Sequence, residues 1–184
     1  MTSRERPLRA DAKRNRDAVI DAAGELFAQR GDGVQMDEIA ERARLGVGTL
    51  YRHFSDKQAL IAAIIGRRFE AMTALARSAD EIPDAWTAFE TLLYGYLESA
   101  LTDAAFRFAL LGPEKPDWNE IEQEKAEFST VTEGIVRRAV EAGHLREDFS
   151  SEDFILITRG AMATMTGAGD WRRYVELVLE GIRR

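Results

Sequence analysis

Apolar residues recur every three or four positions through most of this chain, the spacing that gathers them on one side of an α-helix. Val19, Ala22, Ala23, Leu26 and Phe27 form the first run and predict a helix from Arg14 that stops at Gly31. Met36, Ile39, Ala40 and Ala43 share a face of a shorter helix, 36–43, and a third helix of about two turns fits 47–53. Ser55, with Gln58 three residues on, has the form of a capping box. The helix it opens carries Leu60, Ile64, Ile65, Phe69 and Met72 towards residue 78.

Beyond Pro83, the residues Trp86, Phe89, Leu93, Tyr96 and Leu97 make a long amphipathic helix, followed by a shorter one at 104–111. GPEKPDW (112–118) holds two of the four prolines and reads as a loop. Residues 119–142 return to helical spacing, with Ile121, Phe128, Val131, Ile135 and Val140 apolar, and two last helices fit 151–166 and 170–182. No segment alternates apolar and polar residues over the length of a strand, so the expected fold is all-α with about nine helices.

Composition sharpens this picture only in places. With 184 residues, 45% of them apolar and 31% charged, the chain can bury a real core. It has no cysteine, which excludes disulfides and thiolate metal sites. The longest apolar run, ALIAAIIG (59–66), is too short to span a bilayer, and no signal peptide is visible, so a cytoplasmic location is expected. Charge is informative once divided. Residues 1–55 carry ten Lys/Arg against nine Asp/Glu, and the remainder fifteen against twenty-three. Arg4, Arg6, Arg9, Lys13, Arg14 and Arg16 crowd the first sixteen positions, where residues 1–12 lack periodicity and read as a basic arm. Polyanion binding is thereby permitted at this end and disfavoured elsewhere, despite the net charge of −7.

LGVGTLYRHFSDK (45–57) carries the chemistry. A phosphate loop would need a buried strand before its glycines, and here MDEIAERAR precedes them, charged and helix-periodic. A helix–turn–helix fits instead: 36–43, a tight turn at 44–46, and a second helix at 47–53. Gly48 inside so short a helix costs about 1 kcal/mol relative to alanine. That cost is explained if something comes too close for a side chain, either DNA or a packed helix. The second helix of this motif enters the major groove by its N-terminal residues, which here are Val47 and Gly48.

The stretch MDEIAERARLGVGTLYRHFSDKQAL (36–60) resembles the DNA-binding signature of TetR-family transcriptional regulators, and the resemblance extends back to about Arg14. It implies that Thr49, Tyr51, His53 and Lys57 hold DNA phosphates, that Val47 and Gly48 face bases, and that Leu50 and Phe54 pack the motif's core. Arg52, Gln35 and Arg44 complete the candidate DNA-binding set. Three departures stand out. Arg44 occupies a turn position that usually holds glycine and tends to need positive φ; Gln35 replaces a Thr/Ser cap, and Gly46 a capping serine.

The resemblance also implies a homodimeric repressor, freed from its operator DNA by a small-molecule effector, with domains at 1–55 for DNA and 56–184 for effector and dimerisation. The effector site is expected as an apolar pocket between helices, with Phe69, Phe89, Leu93, Tyr96, Phe128 and Thr132 as candidates and a neutral or apolar ligand, because no basic cluster accompanies them. The dimer face is expected on the last two helices, from Phe154, Ile157, Ala161 and Met165 with Trp171, Tyr174, Val178 and Ile182, where Gly160 and Ala161 would allow close approach. Gly66 lies in the helix that would join the two functions.

The alternative is an all-α metal-dependent enzyme. Glu141 and His144 have the Glu-x-x-His spacing of carboxylate di-iron sites, but such sites need two of these motifs, and the other histidine is His53. No nucleophile–base set is present either, so no catalytic residue, metal or cofactor is expected, and no membrane partner.

Overall fold

The computed structural model describes residues 5–113, 115–165 and 169–183, except the side chains of 5–9 and Asp32. Its helices are α1 (Glu5–Arg30), α2 (Met36–Arg42), α3 (Val47–His53), α4 (Lys57–Asp80), α5 (Ala85–Thr102), α6 (Ala104–Leu111), α7 (Glu122–Glu141), α8 (Ser151–Thr164) and α9 (Trp171–Ile182). Short 3₁₀ turns cover Gly31–Gly33 and Trp118–Ile121. The fold is all-α, and the described residues contain no strand, only an isolated antiparallel bridge between Leu145 and Arg183.

α1 begins at Glu5, well before the Arg14 expected from apolar spacing, so residues 5–12 of the expected arm are helical. Positions 1–4 of that arm lie outside the described residues. Strong helix formers and an Asp11–Arg14 ion pair one turn apart support this extension.

By packing, the chain forms two compact units. The first comprises residues 1–65 and 104–121. Here α1 is the central strut. Phe27 stacks on Phe108 of α6 with ring centroids 5.2 Å apart, and Gly24 lets α6 approach, since a Cβ there would lie 3.3 Å from that of Ala105. On its other side α1 receives α2 and α3 through Val19, Ala23, Ile39 and Leu50, all fully buried. Arg42 bonds Glu25 through Nε at 2.9 Å, tying α2 back to α1. The boundary at residue 55 follows the motif; the packing unit also draws in α6.

The second unit comprises 66–103 and 122–184. α5 packs against α7 and α8, and α8 against α9. A chain of rings fills the middle: Phe89 meets Phe149 and Phe154 edge-on, and Tyr96 joins Phe154 to Phe128 at 6.0 and 5.9 Å. Helix ends are met by side chains rather than left bare. Asp84 accepts from the backbone N–H and hydroxyl of Thr87 at 2.8 and 2.6 Å, which hold its carboxyl below the usual range. Ser150 with Asp153 forms a capping box on α8, and Asp170 caps α9. At the other end of α4, Arg138 of α7 donates to the carbonyls of Asp80 and Ile82 at 3.1 and 3.3 Å. Gly143, at φ 75°, ends α7.

Candidate nucleic-acid interface and interior of the second unit

The turn between α2 and α3 closes with two bonds, Leu45 N–H to the Ala40 carbonyl (2.9 Å) and Arg44 N–H to that of Glu41 (3.0 Å). This is the Schellman arrangement, whose bend residue must take the left-handed conformation. That residue is Arg44, at φ 58°. A side chain in this region is disfavoured by about 1–2 kcal/mol, so the strain anticipated from the sequence is present. Arg44→Gly is expected to stabilise the protein by about 1 kcal/mol, raising Tm by about 2–4 °C. Thermal denaturation of the purified variant checks this; an unchanged or lower Tm would mean the turn does not hold Arg44 under strain.

At the start of α2 the missing Thr/Ser cap is offset by Glu38. Its carboxylate accepts from the backbone N–H of Gln35 at 2.9 Å and from Arg30 at 2.7 Å, and these two bonds, Arg30 first, hold its carboxyl below the usual range. Gln35 itself stays exposed.

α3 divides into two faces. Leu50 and the residue that ends the helix, Phe54, are buried at 0% and 3% exposure. Val47, Gly48, Tyr51 and Arg52 lie on the opposite side, with Val47 42% and Tyr51 50% exposed. A Cβ built on Gly48 meets no atom within 4 Å. Of the two reasons offered for this glycine, a packed helix is therefore removed. Arg52 curls back along its own helix, donating to the Gly48 carbonyl (3.1 Å) and the Thr49 hydroxyl (3.0 Å). Thr49 and His53 flank this face, half-buried.

α4 opens at Lys57, and its cap is Asp56 rather than Ser55: the Ala59 N–H donates to the Asp56 carboxylate at 2.9 Å. With α4 starting at Lys57, Asp56 is the residue that flanks the first turn, and its carboxylate makes this a charge-assisted bond. The Lys57 ammonium lies 5.6 Å from the centre of the Phe27 ring, against the first unit's core. Beside it, Arg16 covers the Phe54 ring at 5.2 Å and lines a cleft of about 360 Å³ with Tyr51, Arg52, His53 and Glu120.

The family model "Bacterial regulatory proteins, tetR family" matches residues 19–64, and "Transcriptional regulator SbtR-like, C-terminal domain" matches 84–184. The chain belongs to the TetR family of bacterial regulatory proteins. It is accordingly a DNA-binding transcriptional regulator by family. A TetR regulatory protein from Mycobacterium vanbaalenii is 31% identical, with a TM-score of 0.61 over 97% of this chain and 100% of that one. TetR regulator SCO0520 from Streptomyces coelicolor is 25% identical, with a TM-score of 0.56 over 91% and 98%. An HTH-type transcriptional regulator from Staphylococcus aureus strain USA300 is 43% identical over 61 residues. That match spans 33% of this chain and 33% of the curated relative.

In this TetR-family chain the six expected effector-site residues are all buried in the second unit. The structure brings three of them together: Phe69 stacks on Phe128 at 5.5 Å, and Tyr96 adjoins Phe128. Phe89 connects to this group through Phe154, and Leu93 is fully buried. Sequence reasoning missed Thr73 and Thr158, buried at 4% and 1%. The signal was present for Thr73, a hydroxyl one turn beyond Phe69 on the same apolar stripe.

The residues of the expected dimer face differ in exposure. Phe154, Ile157, Ala161 and Trp171 are buried inside the chain at 1%, 7%, 0% and 6% exposure, so they build its own core. Gly160 serves the same chain: a Cβ there would come within 2.3 Å of the Tyr174 hydroxyl of α9. Met165, Tyr174, Val178 and Ile182 are half-buried. The exposed apolar residues of these helices are Ile155, Leu156 and Leu177, at 40%, 68% and 52%. α8 is apolar on two sides, and periodicity groups residues by face without saying which face is inward. Among the described residues no helix is long and apolar enough to cross a membrane, and no three His, Asp or Glu side chains gather as a metal site.

Proposed function

We propose that this regulator represses transcription as a homodimer, with α3 of each protomer in the major groove of operator DNA, and that a small molecule bound inside the second unit releases it. The observation that carries the DNA half of this reading is the outer face of α3, where exposed Val47 and Tyr51 flank a glycine whose Cβ would meet no described atom within 4 Å. An unpartnered glycine costs helix stability, and a duplex lying against it supplies the reason. Val47 then contacts a thymine methyl, while Tyr51, Thr49, His53 and Lys57 hold phosphates. Arg52 braces α3 in this reading, and Gln35 and Arg44 flank the groove. Two such helices reach one duplex if they lie about 34–36 Å apart, or a multiple of that.

Release follows from linkage. A ligand shifts the dimer from its DNA-competent arrangement only by its differential affinity for the two states. α4 is the shared element, supplying residues to both units, and Gly66 is the first residue of α4 in the second unit.

Gel-shift titration against the protein's own upstream DNA tests the reading, with bound genomic fragments selected in parallel to define the operator. Lys57→Ala is expected to weaken binding to all sequences alike. It should also flatten the plot of log K against log salt by about 0.9 for each subunit. A slope identical to wild type would leave Lys57 over the Phe27 ring and outside the phosphate set.

A further inference from the structure

Several described threonines within these helices donate their hydroxyl to a carbonyl one turn back. Thr102, Thr130, Thr158 and Thr164 do so at 3.1, 2.9, 3.0 and 2.8 Å. Thr73 and Thr132 do not. They are 4% and 2% exposed, and among the described residues neither hydroxyl has a hydrogen-bond partner. A buried hydroxyl is seldom left in this state, because it loses its bond to water and gains none in return.

The two are placed together. Thr73 follows Phe69 by one turn of α4, and Thr132 follows Phe128 by one turn of α7, while the two rings stack on each other. α4 and α7 run in the same direction, since Arg138 of α7 binds the carbonyls of Asp80 and Ile82 beyond that stack. Both hydroxyls therefore stand at one level, about 6 Å past the rings.

The surroundings set the charge. Tyr96 is fully buried, and burial pushes its phenol upward, keeping it neutral. Arg68 of α4 is engaged by Ser99 of α5 and by Asp103 at 3.8 Å, and Arg159 of α8 also acts on the Tyr96 phenol. A carboxylate or ammonium brought between the two hydroxyls would lose its hydration, and two neutral donors replace only part of it. An oxygen with two lone pairs, in contrast, accepts from two hydroxyls at once.

We propose that Thr73 and Thr132 form a two-donor site for an uncharged, mostly apolar ligand that presents a carbonyl oxygen between them, its hydrocarbon lying against Phe69, Tyr96 and Phe128. This rests on the effector reading of the second unit and names the ligand's chemistry. The test uses three probes of equal chain length, octan-2-one, octanoate and octylammonium, against wild type, Thr73→Val, Thr132→Val and the double variant. Valine keeps the shape and removes the hydroxyl. Without a probe, each single variant should melt about 2–4 °C higher, because an unpartnered polar group has been removed. In calorimetric titration the wild type should prefer the ketone, and each valine should weaken that binding about 2–10-fold. The two readouts move in opposite directions, which a merely structural threonine would not produce. Preference for a charged probe, no ketone binding up to its solubility, or ketone affinity unchanged in the double variant would each overturn the site. If the ketone binds through these hydroxyls yet leaves the operator complex intact, the site stands and the induction reading falls.

Discussion

Replacing Leu156 and Leu177 by glutamate is expected to turn the proposed dimer into a monomer and to lower operator affinity by about 10²–10⁴-fold, the avidity lost when two half-sites are no longer held together. These side chains are 68% and 52% exposed in the single chain, so glutamate at either position costs the protomer's own fold little. Leu156 shares a surface groove of about 290 Å³ with Ile157, Val178 and Ile182, which extends the apolar area across α8 and α9. Covering a leucine stabilises association by about 1.5–3 kcal/mol, whereas a carboxylate in the same place must be desolvated without a partner. Sedimentation velocity gives the mass and gel shift the affinity. A double variant that still sediments as a dimer would move the interface away from this face. Glutamate at Ala161, by contrast, would strike a fully buried position and report unfolding instead of dissociation.

The second large effect concerns Gly48. Gly48→Leu should stabilise the free protein by about 0.5–1 kcal/mol, because helix propensity improves and the new Cβ meets no described atom within 4 Å. Operator binding should fall by about 30–150-fold, corresponding to about 2–3 kcal/mol, because the leucine fills the space the duplex must enter. Thermal melts and gel shifts on one preparation separate the two changes. If the variant is both more stable and unimpaired on DNA, α3 does not meet the groove at this residue.

Most of the helices were legible because burial imposes a period. Val19, Ala23 and Phe27, or Trp86, Phe89 and Leu93, announce their elements by repeating on one face. The recognition stretch was legible for a different reason, since its residue types are unusual for so short a helix. What stayed hidden has physical causes of its own. The first turns of α1 carry no apolar period in the sequence, so nothing there marks a helix. Asp56 and Ser55 are adjacent capping residues, and only the geometry tells which one caps. α6 pairs with α1 across some eighty positions, through a ring contact and a glycine whose partner a linear reading does not identify. The inward and outward sides of α8 look alike in sequence because both are apolar. Thr132 was found among the expected pocket residues, but the unpartnered state of its hydroxyl exists only once α4 stands beside α7.

The turn at Arg44 has a consequence for how relatives of this chain would diverge in a laboratory selection. Heat challenge alone rewards any change that relaxes the left-handed arginine, and a population so treated should drift to glycine there within few rounds. Challenge for operator occupancy should hold arginine in place if its guanidinium flanks the groove as proposed. The residue recovered at this single position is therefore a record of which pressure the lineage last met.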